Sequence, residues 1–217
     1  MIGFNSLSEK AKEIYLLALC DLIVDRILCS DGYGLVVEAL QKCWEWIQSK
    51  TIDADQLYFY LENVDEKDIM TYMQLEKNEN NKAVWMCIAN TLAYIIRAAY
   101  QYAEETYMPQ TIECVDNETI ESFYLNLHKL FVDNDVSDRL LDYMVMNDSE
   151  QKSVDILFIK QFAKDYGFKI RARNVTGMSR HLFRSITAFS LHKAEFALQW
   201  FCLAEPFSKN PILIWYL

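Results

Sequence analysis

Two aspartate pairs have the spacing that best suits chemistry, Asp21 with Asp25 and Asp138 with Asp142. Residues four apart share one face of a helix, and paired carboxylates of this kind hold Mg²⁺ in helical isoprenoid enzymes when a second acidic motif faces them. Neither pair here lies in an aspartate-rich segment, and a solvated helix face accounts for both. The three histidines, His128, His181 and His192, fall in no HExxH, HD or CxxH spacing, whereas catalytic zinc needs three protein ligands. His128, in FYLNLHKLF, reads as a helix-flank residue. No GxSxG turn surrounds a serine. No GxGxxG, and no GxxxxGK followed by Ser or Thr, is present to cradle a phosphate. The expectation is a protein without catalytic residues, metal or cofactor.

The elements around these residues are helices. Only 5 glycines and 3 prolines punctuate 217 residues, too few for the many turns of an all-β domain. Ser6 and Glu9 have capping-box spacing and predict a helix to about residue 29, stopped by Ser30-Asp31-Gly32. Apolar periodicity then predicts helices at 35–49, 54–61 (capped by Asp53 with Gln56) and 66–75, with a polar loop at 77–81. The longest and least polar helix is expected at 83–107, ended by Pro109, with apolar residues on most of its circumference. Asp116 and Thr119, or Asn117 and Ile120, cap a helix to about 132; others follow at 137–146, 153–166 and 179–204. KIRAR at 169–173 reads as a short strand or extended arm, and the tail PILIWYL (211–217) is apolar enough to require docking. The predicted fold is all-α, a single multi-helix domain of about eight or nine helices around the central apolar helix 83–107.

Charge divides the chain. The net charge is −10, but residues 1–154 hold 12 Lys and Arg against 27 Asp and Glu, and residues 155–217 hold 9 against 4. This predicts an acidic helical body (1–154) with a basic helical C-terminal extension (155–217) packed on the same domain. An acidic body argues against nucleic acid or an anionic membrane as partner and suits a basic protein. The basic residues Lys169, Arg171, Arg173, Arg180 and Arg184 are expected to pair with that body. The six cysteines, at 20, 29, 43, 87, 114 and 202, form no CxxC and read as small buried hydrophobes in a reducing compartment. The N-terminus has no basic segment before an apolar run. The longest uncharged run on a helix, 83–96, is 14 residues, short of the roughly 20 that span a bilayer. A cytoplasmic location is expected.

One stretch stands out as a candidate site. Asp53, Asp55, Glu62, Asp65, Glu66 and Asp68 cluster with Tyr58, Phe59, Tyr60 and Tyr72. Charge steers encounter, and desolvated aromatics supply much of an interface's affinity. The candidate partner-binding residues are Asp53, Asp55, Tyr58, Glu62, Asp65, Glu66, Asp68 and Tyr72.

ALQKCWEWIQSK followed by IDADQLYFYLEN, spanning 39–63, places Cys-Trp-x-Trp on an amphipathic helix ahead of an acidic cap and Leu-Tyr-x-Tyr-Leu. This pattern, with the later NKAVWMCIANTLAYIIRAAY, resembles the sixth immunity-protein family of bacterial polymorphic toxin systems over about residues 8–150. The resemblance implies an all-α cytoplasmic protein, encoded beside a toxin, that binds the toxin's effector domain and blocks it by stoichiometric occlusion. It carries no catalytic residues. Many such toxins are basic nucleases, which a carboxylate-rich inhibitor suits. Two other readings stand beside it: a helical adaptor or regulatory protein-binding module, and a helical metal-dependent enzyme using Asp21 and Asp25.

Overall fold

The computed structural model describes residues 2–64, 66–131, 135–149 and 156–171, all within the first of the chain's two units, Met1–Asn174. The expected helix 179–204, the tail 211–217, Asp65, Arg173, Arg180 and Arg184 lie outside the described residues. Those residues contain helices and no strand. They are α1 (Ile2–Asn5), α2 (Glu9–Ile23), α3 (Tyr33–Ser49), α4 (Ala54–Leu61), α5 (Ile69–Leu75), α6 (Glu79–Tyr102), α7 (Gln110–Glu113), α8 (Asn117–Leu130), α9 (Asp135–Ser149) and α10 (Ile156–Asp165). A 3₁₀ turn, Val24–Ile27, continues α2.

The central helix is α6, as the sequence predicts, with α2, α3, α4, α5, α7 and α8 packed around it. Its apolar circumference explains this: Val84, Trp85, Ile88, Leu92, Ile95 and Ile96 are all buried, and burying each such side chain contributes about 1.5–3 kcal/mol. α6 is long and apolar enough to cross a membrane by length and composition alone, but 67% of its most apolar window is buried inside the protein. It is a core helix. Trp44, Trp46, Trp85, Tyr15 and Phe123 are the largest fully buried side chains of the core. α9 closes the other side against α1 and α2.

Helix ends differ from expectation where a polar side chain caps rather than interrupts. α2 starts at Ser8, whose hydroxyl accepts from the Ala11 N–H; Ser6 instead bonds the Gly3 carbonyl. The Ser8 N–H and hydroxyl donate to the Asp148 carboxylate at 2.7 and 2.8 Å, which ties α9 to the positive end of α2. α6 begins inside the expected polar loop because Asn78 accepts from the Asn80 and Asn81 N–H groups. α8 has the expected capping box of Asp116 and Thr119.

The C-terminal end of α6 comes earlier than Pro109. Glu104 adopts a left-handed conformation (φ 54°), and the Glu104 and Glu105 N–H groups donate to the carbonyls of Gln101 and Tyr100. This is a Schellman motif, which satisfies the last carbonyls of a helix. Residues 103–107 therefore form an exposed loop instead of about one and a half more turns of helix.

Candidate functional site

α4 places Asp55, Tyr58 and Glu62 on one stripe, at helical spacings of three and four, turned toward the end of α6 and toward α7. Asp55 accepts a hydrogen bond from the Tyr100 hydroxyl. Tyr58 donates to Glu62, which also accepts from Thr111 at 3.0 Å. Burial, then the carboxylate each phenol faces, raises the pKa of Tyr58 and Tyr100. Asp53 precedes the stripe and caps α4, accepting from the Asp55 N–H at 2.8 Å. Asp53, Asp55, Tyr58 and Glu62 thus form one acidic and aromatic face.

Among the other sequence candidates that the structure describes, Asp68 and Tyr72 serve α5 rather than that face. Asp68 is buried and caps α5, accepting from the Thr71 and Asn63 N–H groups at 2.6 and 2.7 Å. Tyr72 stacks on Trp85 with ring centroids 5.7 Å apart and planes 13° from parallel. Tyr72 is committed to holding α5 against α6, and Asp68 to capping α5 and fixing the loop that follows α4. Glu66 is exposed.

Beside the α4 face, a cleft of about 370 Å³ opens among the C-terminal end of α3, the start of α4 and the end of α6. Trp46, Lys50, Asp53, Asp55, Tyr102 and Glu105 are among its walls, with Tyr107 at one side. Lys50 ends α3 in a left-handed conformation (φ 53°), which directs its side chain back over Trp46. Its ammonium lies 3.1 Å from the Trp46 ring centroid and 5.7 Å from that of Tyr102. The same ammonium is 3.6 Å from the Glu13 carboxylate, which is 5% exposed. Burial raises the Glu13 pKa despite Lys50, and burial lowers that of Lys50 despite Glu13.

Trp46, Lys50, Tyr102, Glu105 and Tyr107 are wall residues that sequence reading misses. A helix extended to residue 107 would have kept Tyr102 and Glu105 on one face and turned Tyr107 away from it. With the Schellman turn, Tyr102, Glu105 and Tyr107 all line the cleft. No pattern in the chain announces a left-handed Glu.

The aspartate pairs need a correction. Asp138 and Asp142 are exposed on α9, as a solvated face requires, but Asp21 is 3% exposed. Its carboxylate accepts from the Trp44 indole N–H and the Arg171 backbone N–H, each at 2.8 Å. The Arg171 guanidinium lies 3.6 Å from the other carboxylate oxygen. It also donates to the Asp21 carbonyl at 3.1 Å, to the Asp25 carboxylate and to the Tyr33 hydroxyl at 3.3 Å. Burial pushes the Asp21 pKa up to about 6, outweighing the Arg171 backbone N–H, Trp44 and the Arg171 charge, which lower it. Asp21 and Asp25 are thus the anchor of an arginine, and the expected pairing of the basic segment with the acidic body occurs at Arg171. Residues 168–171 form neither helix nor strand. Among the described residues, no group of three or more His, Cys, Asp or Glu is placed to hold a metal ion. Cys20, Cys43 and Cys87 are buried as expected, but Cys29 and Cys114 are exposed.

In comparisons with known proteins, a family profile described as Immunity protein Imm6 matches residues 11–130. No curated protein and no solved structure matches the chain. The matched region runs from the first turn of α2 to the last residue of α8, and so contains α6, its six neighbours and every described residue of the cleft.

Proposed function

The chain belongs to the Imm6 family of immunity proteins, and from that premise we propose that it binds a cognate bacterial toxin domain and neutralises it by stoichiometric occlusion. The observation that carries this reading is the family match itself, because it covers the helical body on which the acidic and aromatic face is built. Charge supports the choice of partner: residues 1–154 carry 12 basic against 27 acidic side chains, which attracts a basic domain and repels polyanions such as nucleic acid or an anionic membrane. Occlusion requires no catalytic residue of the inhibitor. The complex forms in the cytoplasm, where the toxin would otherwise act.

The test is co-expression with the toxin domain encoded beside this chain. Growth of toxin-expressing cells is restored, and the two proteins purify together in equal amounts. Failure to restore growth with a folded, expressed chain refutes the proposal. A helical adaptor would leave growth unrescued and bind a different protein.

A further inference from the structure

Lys50 shows what the cleft can hold. Its ammonium sits over the Trp46 ring at 3.1 Å from the centroid, with Tyr102 at 5.7 Å, so an aromatic wall of the cleft already receives a cation. The charge of Lys50 is answered from beneath by buried Glu13. The carboxylates of Asp53, Asp55 and Glu105 remain at the cleft, and all three residues are exposed. Among the described residues none of the three makes an ion pair. Asp53 accepts a backbone N–H and Asp55 a tyrosine hydroxyl, which leaves each with further acceptor positions. Tyr102 and Tyr107 are 63% and 78% exposed, flat apolar surfaces with little to cover them.

We propose that this cleft is the socket for an arginine side chain of the toxin domain; the proposal rests on the immunity reading above. A guanidinium stacks on a tyrosine ring and presents a planar fork of N–H donors to a carboxylate. Tyr102 and Tyr107 supply the rings, and Asp53, Asp55 and Glu105 the carboxylates. Size agrees. The cleft, at about 370 Å³, is near the lower end of the roughly 300–1,000 Å³ common for ligand sites, and suits one long side chain better than a folded segment. Trp, Tyr and Arg are also the residues that dominate interface energetics.

The toxin domain encoded beside this chain is the probe, with its Kd measured by titration calorimetry and its toxicity by growth rescue. Tyr102→Ala and Glu105→Lys each loosen the complex about 30-fold or more, the effect of losing a hot spot. Asp142→Lys, an exposed site on α9 away from the cleft, stays within about threefold, as surface changes do. Among Arg→Glu variants of the toxin's exposed arginines, one restores tight binding to Glu105→Lys. Thermal unfolding checks each variant, and Glu105→Lys decides alone if Tyr102→Ala is poorly folded. If the wild-type chain rescues growth while the cleft variants bind within about threefold of it, the socket is refuted and the immunity function stands. If the wild-type chain neither binds nor rescues, both fall.

Discussion

Replacing Lys50 by Met keeps an unbranched apolar stem over Trp46 but removes the only charge within ion-pairing distance of the buried Glu13 carboxylate among the described residues. At 3.6 Å the pair attracts by about 5 kcal/mol at an effective dielectric of about 20. The net loss is smaller, because the Lys50 side chain is 25% exposed and Glu13 can escape by binding a proton. That escape has its own cost. Holding the carboxyl neutral costs about 1.4 kcal/mol for each pH unit above its unfolded pKa, which is 4.5. Burial already raises the Glu13 pKa in the wild type, and removing Lys50 raises it further. A raised carboxyl pKa means stability that is complete below the unfolded pKa and is lost as pH climbs to the folded one. The variant should therefore be destabilised by about 1 kcal/mol at pH 5.5 and about 3 kcal/mol at pH 8. For a chain of this size that is roughly 2–4 °C and 6–12 °C in Tm. Urea unfolding followed by tryptophan fluorescence at the two pH values measures it. Adding Glu13→Gln should erase the pH dependence. A deficit equal at both pH values would refute the account of Glu13 as a buried charge held by Lys50.

Asp21→Asn keeps an acceptor for Trp44 and Arg171 while removing a carboxyl whose pKa is raised to about 6. Its stability relative to wild type should improve by about 1 kcal/mol between pH 5.5 and 7.5, and a constant difference in chemical denaturation would rule that out. Gly32→Ala should cost about 1–3 kcal/mol by overpacking, since a Cβ there would lie 2.7 Å from the Tyr72 ring and 2.8 Å from Trp85; an unchanged Tm would contradict the packing of α5. Glu104→Gly should stabilise by about 1 kcal/mol, because Glu104 has φ 54° and glycine adopts that conformation without strain. A lower Tm for this variant would argue against the turn.

The framework was legible because it depends on composition and period. Few glycines, apolar stripes and a long uncharged segment identify α6 as the centre, and the Asp116 and Thr119 spacing marks the start of α8. Polar residues were harder to place, since the same chemistry serves loops and caps: Asn78 looks like part of a loop and instead accepts from the Asn80 and Asn81 N–H groups that start α6. Asp21 and Glu13 on α2 look like solvent-facing positions, yet the elements that cover them, Arg171 and Lys50, lie 150 and 37 residues away. Nothing local distinguishes a buried aspartate with a distant partner from an exposed one. The acidic stretch 53–72 was legible as composition, whereas its division follows from tertiary partners: Asp55, Tyr58 and Glu62 meet the end of α6 and α7, Tyr72 meets Trp85, and Asp68 caps α5.

The cleft illustrates why a surface feature can be hidden in a chain whose helices are easy to read. It is bounded by two helix ends, and both ends use a charged residue in the left-handed region, Lys50 for α3 and, for α6, Glu104. Glycine would satisfy either turn at lower conformational cost. Lysine at 50 instead supplies the charge that holds buried Glu13 and covers Trp46. Glutamate at 104 turns the chain, so that Glu105 and Tyr107 lie in the exposed loop and line the cleft. Strained conformations of this kind persist only where the surrounding structure over-determines them, and they concentrate where binding occurs. Lys50 and Glu104 are thus poor choices for the turns they occupy, yet those turns shape the cleft proposed above as an arginine socket, and helix periodicity cannot reveal them.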